Sequence, residues 1–161
     1  MRTLMLLTVA VGLASLVTSC SPVPPAPGET PMVEKQFMNL EYRSKPNGYT
    51  HVVTSPPGKM IFVSGQSGSS PDGGGERPAD FAGQAENTFK NLENCLKMAG
   101  ATFRDVVKIN YFLSDINDLG TLREIRAKYL NMEAPPAATA VQAALFQGIL
   151  LEVEVVAVVQ E

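Results

Sequence analysis

Two cysteines, one histidine and a short set of polar residues are the only groups in this sequence whose placement selects a chemistry. Cys20 follows Val17-Thr18-Ser19, an aliphatic residue and two small ones. That is the pattern of a bacterial lipoprotein cleavage site, where the thiol is the nucleophile that takes lipid. Cys20 is therefore expected to be acylated and to become the first residue of the mature chain. Cys95 is then the only thiol left, and a single thiol forms neither an internal disulfide nor a metal cluster. His51 is the only histidine. It reads either as a solvated strand histidine or as a cleft-lining acid or base. No His–acid pair is spaced to activate Ser64 as a nucleophile. Residues 65–77 are rich in Gly and Ser but lack the Gly-Lys-Ser/Thr ending of a phosphate cradle, so they read as a long mobile connector.

The segments around these residues set the organisation. Residues 1–19 hold one basic residue, Arg2, and an apolar run from Leu4 to Val17. That run is shorter than the roughly 20 residues of a membrane span, and it reads as a signal segment. Residues 20–35 carry five prolines between Ser21 and Pro31, which favours extended polyproline II and forbids helix, as a spacer requires. Residues 36–161 are expected to be one folded domain. The predicted address is the cell envelope. The chain would be held on the periplasmic side through lipid on Cys20, at the outer rather than the inner membrane because Ser, not Asp, follows the cysteine. The 161-residue chain is 45% hydrophobic and 18% charged, with a net charge of −3. That balance is globular, and it gives no electrostatic reason to bind nucleic acid.

Within the domain, alternation over Phe37–Arg43 and Tyr49–Thr54 predicts two half-buried strands. Ser55-Pro56-Pro57-Gly58 would turn the second into a hairpin with Met60–Ser64. Asp80 caps a helix whose stripe, Phe81, Ala85, Thr88, Phe89, Leu92, Cys95, Leu96 and Ala99, recurs at three- and four-residue steps. On that stripe Cys95 reads as a small core residue. Gly100 ends the helix. Val106–Leu113 is a strand. Asn117 or Asp118 caps a second helix, near whose start Arg123 reads either as a cation able to reach a cleft or as one of a solvated i,i+3 pair with Arg126. Thr139–Leu145 and Leu151–Val159 are the last strands, joined tightly at Gln147-Gly148. The order β-β-β-α-β-α-β-β implies an α+β sheet with both helices on one face. The last strands are apolar on both sides, so the bare face should pack on other subunits.

These residues resemble one family. Phe62-Val63-Ser64-Gly65-Gln66, Gln84, Asn91-Leu92, Val106-Val107-Lys108, Phe112-Leu113-Ser114-Asp115, Pro136-Ala137 and Leu151–Ala157 together are similar to the RidA/YjgF family, once labelled L-PSP endoribonuclease. The resemblance covers roughly residues 47–159. It implies a chorismate-mutase-like fold and a homotrimer with clefts between subunits. It also implies hydrolysis of enamine/imine products to ammonia and a keto acid, with no cofactor and no metal. Residue by residue, it implies cleft roles for Tyr49, Ser64, Gly65 and Thr139, and a water-positioning or activating role for Glu152, which by itself reads equally as a strand-edge glutamate in a salt bridge.

One position departs from the pattern: Pro136-Ala137-Ala138-Thr139 has Ala138 where the family places the arginine that grips a substrate carboxylate. A charged hydrogen bond of that kind contributes about 1.5–3 kcal/mol, and a methyl group cannot replace it. The expectation is therefore a membrane-tethered trimer that binds a small metabolite and acts on an imine or related C–N bond, but not as a standard 2-imino acid deaminase. The alternative is a non-catalytic ligand-binding or scaffold trimer.

Overall fold

The structure, a computed structural model, describes residues 34–160. The expected signal segment, Cys20 and most of the Pro-rich spacer lie outside the described residues. The elements are β1 (Gln36–Met38), β2 (Val52–Thr54), β3 (Lys59–Ser67), α1 (Phe81–Met98), β4 (Val106–Leu113), α2 (Leu119–Arg126), β5 (Ala137–Gln142) and β6 (Leu151–Val159), with single 3₁₀ turns before β4 and α2. Their order is the expected one, and the class is α+β.

The apolar stripe of α1 is buried along its length, with Ala85, Phe89, Leu92 and Leu96 fully enclosed. Asp80 accepts from the Gly83 amide at 2.8 Å to open the helix, and Gly100 closes it at φ +79°. Cys95 is half-buried and packs against this core. Leu122 and Ile125 bring α2 into the same core. Alternate residues of β4 and β6 (Ile109, Tyr111 and Leu113; Leu151, Val153, Val155 and Ala157) supply the sheet side. Glu86 fastens the helical layer, taking hydrogen bonds from Lys128 and, at 2.9 Å, from the Tyr129 hydroxyl. Lys128 holds the Glu86 carboxyl below its ordinary pKa. Burial, with Glu86 alongside, pushes the Tyr129 phenol up to about 12.

The structure departs from expectation in three places. The four-stranded sheet has the order β3-β6-β4-β5, with β4 and β5 parallel and the other pairs antiparallel. β1 and β2 pair only with each other, so the molecule has a mixed sheet and a separate ribbon rather than one sheet. The expected β2–β3 hairpin therefore does not form. Asn39 is what redirects the chain: its side chain accepts from the His51 amide at 3.1 Å, which draws β1 onto β2 and ends β1 after three residues.

β5 and β6 are not neighbours either. β4 lies between them, and residues 143–150 cross its end, held by Ala143 N to Leu113 O at 2.8 Å and Ser114 N to Leu150 O at 3.0 Å. The tight connection expected at Gln147-Gly148 is therefore a crossing loop. Finally, Asn117 and Asp118 lie in a 3₁₀ turn capped by the Asp115 carboxylate, which accepts from the Asn117 amide at 2.9 Å. Asp118 stands at the N-cap position of α2 without a side-chain capping bond.

Candidate functional site

Tyr49 is placed by its neighbour. Thr50 is buried; its hydroxyl donates to Pro135 O at 2.6 Å and its amide to Pro136 O at 3.1 Å. A bridge to Ala137 then lays this stretch along the start of β5. Tyr49 thus stands beside Ala138 at the mouth of a cavity of about 280 Å³ whose walls also include Tyr111, Ala140 and Thr139. His51 does not line it. The histidine ring packs edge-on against Tyr49, with centroids 5.6 Å apart, and its Nδ1 lies 3.0 Å from the Asn39 side-chain oxygen.

Arg126 is buried where it lines this cavity, which corrects the reading of Arg126 as solvated; Arg123 also lines the cavity but is exposed, as expected. Arg126 is only 4% exposed, because Leu122 and Ile125 draw that side of α2 into the core. Its Nη2 donates to Asn47 O at 2.8 Å, and its guanidinium lies 5.8 Å from the Tyr111 ring centroid, within cation–π range. It pairs with no carboxylate among the described residues. Removing such a charge from water costs on the order of several kcal/mol. Neither Arg126 Nε nor the Tyr111 hydroxyl has a hydrogen-bond partner among the described residues. Burial pushes the Tyr111 phenol up to about 12, against the pull of the adjacent Arg126 charge.

Glu152 lies elsewhere. β6 is central, between β3 and β4, so Glu152 is not an edge residue, and among the described residues it takes part in no ion pair. It lines a shallow recess with Ala144, Leu145 and Phe146. Gly65 makes room for it: β3 shifts register between Val63 and Gln66, and a side-chain carbon at Gly65 would collide with the Glu152 carboxylate. β3 runs on to Ser67, so the Gly/Ser-rich connector begins later than expected. Ser64 is exposed on the face of the sheet away from the helices, where it lines a recess with Phe62, Lys108, Asn110 and Glu154. Thr139 also faces that side and accepts from Lys108 Nζ at 2.8 Å. One chain therefore brings Tyr49 and Thr139 together, and Gly65 and Glu152 together. The two groups do not share a cavity, and Ser64 joins neither.

Sequence periodicity passes over two residues that hold this geometry. Gln84 is 2% exposed and fully used: its amide nitrogen donates to Pro78 O and Gly148 O, and its oxygen accepts from Leu150 N, each at 2.9 Å. It ties α1 to the chain entering β6, two residues before Glu152. Asn91 donates to Ser67 O and Ser69 O at 3.0 Å and holds the end of β3 against α1.

A mixed four-stranded sheet, two helices on one face and a small basic cavity at the β5 edge define an α+β domain. The domain has named relatives. A family model described as endoribonuclease L-PSP matches residues 43–159, and the chain belongs to this family, which is also the RidA/YjgF family. The 2-iminobutanoate/2-iminopropanoate deaminase of Rattus norvegicus is 42% identical over 100 residues, covering 62% of this chain and 73% of that protein. A RutC family protein of Pyrococcus abyssi is 33% identical over 125 residues, 76% of this chain and 96% of that one. Among solved structures, the YjgF gene product of E. coli superposes with a TM-score of 0.57 at 36% identity, covering 63% of this chain and 81% of that chain. E. coli TdcF with bound serine superposes with a TM-score of 0.59 at 29% identity, covering 77% and 98%.

Proposed function

We propose that this chain acts as a homotrimer that binds a small metabolite in clefts between its copies and hydrolyses an imine, enamine or related C–N bond there. The observation that carries this reading is the division of the site. Tyr49 and Thr139 stand at one place in the chain and Glu152 at another, so a single copy does not join them. A second copy docked on the bare sheet face would. That face leaves two large apolar side chains in water, Met60 at 58% and Phe62 at 71% exposure, beside Glu154, Lys108 and Ser64, and a docked copy would cover them. Identity to 2-imino acid deaminases supports the reaction class, and a relative holding serine supports a small amino-acid-sized ligand.

In this reading Tyr49 and Thr139 wall and orient the ligand, and Glu152 of the facing copy takes a proton from the attacking water. Water adds to the C=N carbon. Glu152 returns that proton to the nitrogen, and the resulting carbinolamine expels ammonia as its C–N bond breaks and its hydroxyl proton passes to the departing nitrogen, which gives the carbonyl product. No cofactor, metal or nucleic acid enters the reaction. Lipid on Cys20 would tether the trimer at the periplasmic side of the envelope, with the outer membrane favoured.

Ammonia release from imines generated in situ, with and without a carboxylate, tests the chemistry, and Ala138 predicts that 2-iminopropanoate is not turned over at the rate of a standard 2-imino acid deaminase. Glu152→Gln is expected to lower the rate by about 10²–10⁴-fold without dissociating the trimer. A wild-type protein with no turnover on imines would instead support the non-catalytic ligand-binding reading, which the absence of a cation on β5 at Ala138 favours. Cys20→Ser is expected to release the protein from membranes.

A further inference from the structure

Building on the cleft reading above, we propose that Arg126, reaching in from α2, is the residue that holds the ligand's anionic group, and that this group is the carboxylate of a small organic acid. The guanidinium is enclosed yet lacks a counter-charge among the described residues, with Asn47 O as its hydrogen-bond acceptor and the Tyr111 ring beside it. An enclosed cation in that condition is a site with its strongest interaction unmade. It borders the cavity of about 280 Å³, which Arg123 also borders and which no Asp or Glu among the described residues lines.

Ala138 and Ala140 keep the cavity open from the β5 side. A larger side chain at either position would fill it. Gly48 makes room for the guanidinium itself: it adopts φ +74°, and any side-chain carbon there would collide with Arg126. The guanidinium fork matches a carboxylate in two parallel hydrogen bonds. The walls facing it, Tyr49, Leu119 and the two alanines, are largely apolar and suit a short carbon skeleton. The residue type missing at position 138 is thus present in the same cavity, one element away.

Calorimetric titration of the full chain with pyruvate, with pyruvamide as its uncharged counterpart, reads this directly. Pyruvate is expected to bind at least about tenfold more tightly than pyruvamide. Arg126→Gln is expected to remove that preference. Ala138→Leu, which fills the cavity without touching the charge, is expected to abolish binding of both. Should Arg126→Gln fail to fold, the pyruvate–pyruvamide ratio and Ala138→Leu decide the matter alone.

Equal binding of the two probes overturns the proposal. So does loss of pyruvate binding in Arg123→Gln but not in Arg126→Gln, or tighter binding of inorganic phosphate than of pyruvate. The outcome is separable from the hydrolytic reading. Arg126-dependent pyruvate binding in a protein that releases no ammonia from imines supports this assignment and removes the catalytic one. Imine hydrolysis undiminished in Arg126→Gln does the reverse.

Discussion

Gly65 and Glu152 show how one residue's lack of a side chain positions another's chemistry. Glu152 occupies the space a Cβ at position 65 would need. Gly65→Ala is therefore expected to displace the carboxylate and lower imine turnover by about 10²-fold, with thermal stability little changed. Steady-state kinetics beside a melting curve checks this. Titration follows the same local logic. The Tyr111 and Tyr129 phenols are raised to about 12, so the folded state favours their neutral forms. Their contribution to stability is present below pH 10 and is lost as pH climbs from 10 through 12. Glu86 is lowered by Lys128, so its contribution is present above the ordinary carboxylate range and is lost as pH falls through its folded value. Thermal unfolding followed across pH should show losses at both extremes. Tyr129→Phe should reduce the alkaline loss.

At the scale of elements, α1 is the ruler for the site. Its apolar stripe sets its distance from the sheet, while Gln84 and Asn91 tie it to the chain before β6 and after β3. Gly68 lies so close to α1 that a side-chain carbon there would collide with Gln84. Phe89 stacks on Tyr129 at 4.9 Å and meets Phe103 at 5.9 Å, which joins α1 to the chain just after α2 and to the turn before β4. Phe89→Ala is expected to cost about 3–5 kcal/mol, measured by denaturant unfolding. The helix stripe was legible from three- and four-residue spacing because burial on one side of a helix leaves that imprint. Gln84 left none. A buried amide is recognised by the carbonyls it meets, and those come from residues 78 and 148, far apart in the chain.

At the scale of the whole molecule, the sheet face away from the helices leaves large apolar side chains exposed. The apolar side chains of Met60 and Phe62 face away from the helices. If copies dock there, Phe62→Lys is expected to shift the assembly to monomers in light scattering and to remove imine turnover along with it. The same variant leaves the core of each copy intact, because Phe62 is exposed in the isolated chain.

Periodicity and turn chemistry in the sequence determined the element order, the α+β class and the core face of α1, because these follow from neighbours within a few residues. Which strands pair was decided in three dimensions. The side chain of Asn39 catches the backbone at His51, and β4 intervenes between β5 and β6; neither event is encoded as a local pattern. Arg126 shows the difference most sharply. On a helix of alternating charges it reads as a solvent-facing cation, and only the approach of Asn47, Tyr111 and Ala138 from three distant segments makes it an enclosed charge beside a cavity.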